Sequence, residues 1–127
     1  MKEKFCSHGN FSLAKYTQNA YIINVEFIET NTFNKQITEL LSDDEFMVLQ
    51  AFLIANPKAG IVIPGGNGLR KLRWSVGGRG KRGGIRVIYY ILTEDILFLL
   101  LAYAKNRKAD LSKAELDILV ELMKKGD

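Results

Sequence analysis

The chain has little of what small scaffolds use as staples: one cysteine, one histidine and two prolines in 127 residues. Cys6 alone can form no internal bridge and no cysteine-based zinc site, so a reducing cytoplasm is the expected compartment. His8 stands alone in an unpatterned stretch with no fixed partner, which favours a solvated role and excludes a paired-histidine nuclease. Long hydrophobic runs are also missing. The longest, Ile96 to Ala104, has nine residues, about half of what crosses a bilayer as a helix. Met1, Lys2, Glu3 and Lys4 open no apolar stretch of the kind a secretory signal needs, so neither export nor a membrane span is expected. What is present, 47% apolar and 25% charged residues, describes one compact domain that buries roughly 65–70% of its unfolded surface.

Charge is unevenly placed. Residues 1 to 69 carry a net −2 and residues 70 to 127 a net +6. The stretch from Arg70 to Arg86 holds Arg70, Lys71, Arg73, Arg79, Lys81, Arg82 and Arg86 without one acid. Such a block repels itself and favours a polyanion as partner.

Residues 1–20 show no period and are read as an N-terminal arm, leaving 21–127 as the domain. Tyr21 to Ile28 is short and rich in β-branched and aromatic residues, which suits a strand. Phe33, Ile37, Leu40 and Leu41 then share one helical face, behind the capping candidates Asn31 and Thr32. Ser42 with Glu45 three residues on is a capping box for a second helix, whose Phe46, Leu49, Phe52 and Leu53 form a stripe ended by Asn56 and Pro57. With almost no linker, the two helices must form a hairpin or a sharp corner.

Nine of the eleven glycines fall between Gly60 and Gly84, a loop region punctuated by one strand. From Leu69 to Val76, Leu72, Trp74 and Val76 alternate with Lys71, Arg73 and Ser75, giving a half-buried strand with a cationic outer face. Ile85 to Leu92 and Ile96 to Ala104 are apolar on both faces and joined by Thr93, Glu94 and Asp95, the pattern of a central antiparallel hairpin. Ser112 and Glu115 form another capping box, opening a C-terminal helix with Leu116, Leu119, Leu122 and Met123 on one stripe. The predicted order is strand, helix, helix, three antiparallel strands, helix: an α+β fold.

The glycine-rich stretch does not make a phosphate-binding P-loop. Gly80-Lys81 is followed by Arg82 where Ser or Thr is needed, and Ser75 stands where the first glycine belongs. The acids fall mainly at helix starts or in a turn, where capping explains them better than metal-assisted hydrolysis does. The cations remain. Lys71 and Arg73, two apart on a strand, project to one side with Cα atoms about 6.6–6.8 Å apart. Arg86 opens the next strand, and antiparallel pairing can bring it alongside. Lys105 ends the last strand. Edge charges can simply keep a sheet from aggregating, but three cations converging on one sheet face are costly unless an anion is their partner. Arg79, Lys81 and Arg82 suit either solvent or an RNA backbone. Tyr89 and Tyr90 could stack bases in a plain RNA-binding module, although tyrosines in doubly apolar strands are more often core.

The order of elements, together with LRKLR at Leu69 to Arg73, GKRGGIRVIYY at Gly80 to Tyr90 and YAKNRKADLS at Tyr103 to Ser112, resembles the RelE/ParE toxin superfamily, specifically its HigB branch, from about Asn24 to Lys125. The resemblance implies a RelE-like fold, β-α-α-β-β-β-α, with an antiparallel sheet packed against a helical hairpin and a C-terminal helix. It implies a type II toxin that enters the ribosomal A site and cuts messenger RNA, with no cofactor. A cognate HigA-like antitoxin with a helix-turn-helix would silence it, and the pair would bind operator DNA only together. The family's basic catalytic residues map onto Lys71, Arg73, Arg86 and Lys105, with Arg70, Arg79, Lys81, Arg82 and Arg107 expected to hold RNA. Two departures bear on the general base: Asn106 replaces an arginine of the RelE pattern, and Ala109, Asp110, Leu111 and Ser112 offer no match to its C-terminal tyrosine. A ParE-like gyrase poison is the rival within the fold; it would not need the converging cations.

Overall fold

The computed structural model describes residues 5–12, 24–75, 84–108 and 110–125. The elements run β1 (Phe5–Ser12), β2 (Asn24–Thr30), α1 (Asn31–Leu40), α2 (Asp43–Ala55), β3 (Ile61–Val62), β4 (Arg70–Trp74), β5 (Ile85–Thr93), β6 (Ile96–Ala104) and α3 (Lys113–Lys125). The expected α+β order is present with two further strands. β1 forms within the stretch read as an arm and pairs antiparallel with β2, with a register shift between Ser7 and Asn10. β3 forms a two-residue pairing with β4 inside the glycine-rich region.

Among the described residues the strands make one sheet in the order β1-β2-β6-β5-β4-β3. β4, β5 and β6 are antiparallel as expected, but β2 lies parallel to β6, from Glu26 beside Ile96 to Glu29 beside Leu99. The sheet is therefore mixed rather than wholly antiparallel. A parallel neighbour requires a long crossover, and the chain between β2 and the later strands supplies one through α1 and α2.

Local chemistry places α1 one step earlier than the sequence suggests. The cap is Thr30, whose Oγ1 accepts from the Phe33 N–H at 2.9 Å and donates to Leu100 O at 2.8 Å. Gln36 Oε1 accepts from the Ala102 N–H at 2.9 Å. Two side chains at the α1 end of the sheet thus satisfy β6 backbone groups beyond its last pair with β2, where an unmet buried polar group would be costly. α2 has the predicted capping box of Ser42 and Glu45 and ends at Asn56.

Apolar side chains fill both sides of the sheet. Val25, Phe27, Leu72, Val87, Tyr89, Leu97 and Leu99 pack under Phe33, Ile37, Leu49 and Leu53 of the helical pair. Ile88, Phe98, Leu100 and Tyr103 pack under Leu116 and Leu119 of α3. Tyr89 is fully buried, its hydroxyl donating to Pro57 O at 2.6 Å and accepting from the Gly60 N–H at 2.9 Å. It is a core residue and cannot stack a base. A Cβ at Gly60 would lie 2.7 Å from its ring, so this turn after α2 needs glycine to close on Tyr89. Among the described residues no helix is long and apolar enough to cross a membrane.

Candidate active site

Strand register decides which cations share a face. Lys71 pairs with Ile88 and Arg73 with Arg86, while Arg86 in turn pairs with Tyr103 of β6. Residues directly opposite in antiparallel strands project to the same side. Ile88 and Tyr103 belong to the face under α3, so Lys71, Arg73 and Arg86 stand on that face too. Arg73 and Arg86, direct partners, have Cα atoms about 4.5–5.5 Å apart, a like-charge pairing that destabilises the free sheet.

The surroundings of the three differ. Lys71 and Arg73 line a hollow of about 390 Å³ between the β3–β4 edge and the start of α3, with Ile63, Asp110, Leu111 and Leu116 among its walls. Arg86 lies one strand deeper and is 6% exposed. Its one side-chain hydrogen bond among the described residues is a long one of 3.3 Å from Nη1 to Ile85 O, which leaves most of a five-donor fork without an acceptor among those residues.

Among the described residues, Arg70, Lys105 and Arg107 do not line this hollow. Arg70 has the strand parity of Leu72 and Trp74, on the helical-pair side, and its Nη1 donates to Gly60 O at 2.8 Å and Lys58 O at 3.3 Å. Lys105 and Arg107 are exposed in the turn that leaves β6, held by backbone bonds from Lys105 N to Gly84 O and from Arg107 N to Ala104 O. Arg79, Lys81 and Arg82 lie outside the described residues.

Two residues that the sequence did not single out lie beside these cations, Asp110 in the hollow and Tyr103 opposite Arg86. Asp110 lines the hollow, and its Oδ1 accepts from Lys71 Nζ at 3.1 Å and from the Leu111 N–H at 2.9 Å. The Leu111 N–H, then Lys71, hold its carboxyl below the ordinary range. Tyr103 is buried, and among the described residues its hydroxyl has no hydrogen-bond partner. Burial, then the nearby Asp110 carboxylate, push its pKa up, and the Arg86 charge opposes them. The available signal for Asp110 was an acid two places before the Ser112 cap, more than the cap requires. Tyr103 sits inside an apolar run and gave no signal apart from its neighbours. Among the described residues no three His, Cys, Asp or Glu side chains gather as a metal ion would require.

The wall formed by α3 depends on charge at its first turn. Ser112 and Glu115 make the predicted capping box, Glu115 also binds Lys108 Nζ, and that ammonium stands 5.7 Å from the Tyr103 ring centroid. Lys108, followed by the Ser112 N–H, holds the Glu115 carboxyl below the ordinary glutamate range. A carboxyl depressed in the folded state adds stability above its unfolded pKa and loses it as pH falls through the folded one. Glu115→Gln keeps a capping acceptor but removes the charge, so it is expected to lower stability at neutral pH. The loss should be no more than about 1 kcal/mol for so exposed a pair. The gap to the parent should close in acid, below the ordinary glutamate range; thermal unfolding across pH checks this.

Helices on both faces of a mixed sheet, with Lys71, Arg73 and Arg86 on one of those faces and Lys71 and Arg73 lining a hollow there, define a small α+β protein. The family model for the RelE toxin of the RelE/RelB toxin-antitoxin system matches residues 27–126. The chain belongs to that family. It is a toxin of a toxin-antitoxin system, of a family whose toxins are generally endoribonucleases and are paired with an antitoxin.

Proposed function

We propose that this toxin is a ribosome-dependent messenger RNA endoribonuclease of the HigB branch, and that Lys71, Arg73 and Arg86 hold the phosphodiester that breaks. The observation that carries this reading is the register of β4 against β5, which sets Arg73 opposite Arg86 on the face that bears Lys71. In the reaction the ribose 2′-oxygen bonds to the adjacent phosphorus while the bond from phosphorus to the 5′-oxygen breaks. One proton leaves the 2′-hydroxyl and one reaches the departing oxygen. The products are a 2′,3′-cyclic phosphate and a 5′-hydroxyl end.

Arginine stays protonated throughout, so Arg73 and Arg86 neutralise the charge gathering on the phosphorane rather than move protons. Arg86, most of whose donors have no acceptor among the described residues, would receive phosphate oxygens. Lys71 or Lys105 would carry a proton, and Arg79, Lys81, Arg82 and Arg107 would follow the RNA backbone. Positioning by the ribosome supplies what so sparse a site lacks. The reading places the toxin in the cytoplasm with a HigA-like helix-turn-helix antitoxin that reads operator DNA only as part of the complex.

The test is to map RNA ends in translating extracts with the full chain, with and without ribosomes. Codon-phased cuts that require ribosomes are the expected result. DNA breaks in cells would instead indicate gyrase poisoning, and RNA retention without any cut would indicate a binding module; either overturns the proposal.

A further inference from the structure

We infer that the antitoxin lays an extended segment of apolar and acidic residues on the open edge of β3, adding a strand to the sheet and setting a carboxylate against Arg73. The inference rests on the family's pairing with an antitoxin and not on the reading of the cations as an RNA site.

The first observation is the direction of the backbone groups on β3. It is the last strand of the sheet, and among the described residues nothing pairs with its outer side. The Ile63 N–H donates to Leu69 O at 2.8 Å, and in the same register Ile61 stands opposite Lys71 and Val62 opposite Arg70. Hydrogen-bonded pairs alternate along antiparallel strands. Ile63 and Ile61 therefore turn their backbone groups to β4, and Val62 turns its N–H and C=O to the open side. An outward amide and carbonyl are the template on which another chain adds a strand. Ile61 and Val62 are 68% and 48% exposed and project to opposite faces of the sheet. Charge is a common guard on such an edge; here two adjacent aliphatic side chains stand in water instead. Because β3 is short, backbone pairing is confined to Val62, and side chains must supply the rest of the affinity.

The second observation, independent of the first, is the charge at the end of β3. Its first residue lies opposite Lys71, so Arg73, two residues further along β4, stands past the end of β3 while lining the same hollow as Ile61. Arg73 is exposed and, among the described residues, makes no hydrogen bond or ion pair. Lys71 beside it already holds a carboxylate, with Asp110 Oδ1 at 3.1 Å, so the hollow takes this group. A strand that pairs with Val62 and runs past Ile61 brings its next side chains to Arg73, where an aspartate or glutamate meets the guanidinium fork. RNA could offer Arg73 a phosphate, but it has no extended amide backbone for Val62 and no aliphatic side chain for Ile61. A peptide satisfies more of this surface.

The experiment measures binding of the full chain to its antitoxin, the co-encoded protein that suppresses killing when expressed with it. Val62→Pro removes the outward N–H at an edge position that tolerates proline. It should bind about three- to ten-fold more weakly, the loss of one main-chain hydrogen bond. Ile61→Ser should lose about ten-fold with the apolar area it no longer buries. Arg73→Gln should also lose about ten-fold, and its binding should depend less on salt. Val48→Ser, at a valine of α2 that is 60% exposed, should bind as the parent does. Hydrogen exchange at the Val62 amide should slow at least about ten-fold in the complex, as a newly paired N–H requires.

Parent-like binding by any one of Val62→Pro, Ile61→Ser and Arg73→Gln overturns the inference, as does an equal loss in Val48→Ser or a Val62 amide that exchanges as fast in the complex as in the free toxin. Self-association of the free toxin that Val62→Pro abolishes, with antitoxin binding unchanged, would assign the edge to a second copy. Weaker binding of single-stranded RNA by Ile61→Ser, with antitoxin binding unchanged, would assign it to nucleic acid. Either result also overturns the inference. Should Val62→Pro fail to fold, Ile61→Ser and the amide exchange of the parent still decide. None of these measurements reads cleavage, so a toxin that cuts no messenger would count against the proposed function alone.

Discussion

Arg86→Ala is expected to lower ribosome-dependent cleavage about 10²–10³-fold, the usual cost of removing one preorganised donor from a developing oxyanion, and to leave the fold in place. Both halves follow from its position. Arg86 is buried on the inner strand β5, opposite Arg73, and among the described residues its guanidinium makes a single long bond, to Ile85 O. Removing it forfeits no network of side-chain hydrogen bonds among the described residues, and it relieves a cross-strand repulsion that offsets the packing lost with its aliphatic stem.

Arg86→Lys should fall between parent and alanine, because a point charge keeps the attraction and loses the planar fork that can grip two phosphate oxygens. Cleavage rate and circular dichroism, measured on the same preparations, separate the outcomes. Native-like spectra with undiminished killing by Arg86→Ala would remove Arg86 from the site.

The parts of this site that local pattern controls were legible in the sequence. Strand period two puts Lys71 with Arg73 and Leu72 with Trp74 whatever the sheet around them does, and the boxes at Ser42 and Ser112 are written in residues three apart. The same parity places Arg70 with Leu72, on the side away from Lys71 and Arg73. What escaped depends on partners distant in the chain. β1 is polar and shows no alternation, so its pairing with β2 has no local mark. The parallel pairing of β2 and β6 depends on how α1 and α2 cross over. Asp110 meets Lys71 from 39 residues away, and the unmet Tyr103 hydroxyl exists only once α3 has closed over it. Thr30 displaced Asn31 and Thr32 as the α1 cap because its hydroxyl also reaches Leu100 O, a β6 acceptor that no local rule contains.

Phe33→Ala should produce the largest loss of stability, about 3–5 kcal/mol. Phe33 is fully buried, packs in the cluster between the helical pair and the sheet, and sets its ring 6.0 Å from that of Phe46, joining α1 to α2. Its own N–H is the one that Thr30 caps, so the cavity opens at the residue that seats α1 on β6, next to the turn of helix that carries Gln36 to Ala102. With total stability of about 5–15 kcal/mol for a domain, such a loss is enough to populate unfolded chains in the cell. Urea unfolding should show the midpoint falling with an unchanged slope if only the folded state is affected. Toxicity of this variant should fall through abundance, with cleavage per folded molecule near the parent value, because Phe33 lies on the face of the sheet opposite Lys71, Arg73 and Arg86. A loss of cleavage per folded molecule would mean that the two faces are coupled through the sheet, and the separation between core and site drawn from the strand register would then be wrong.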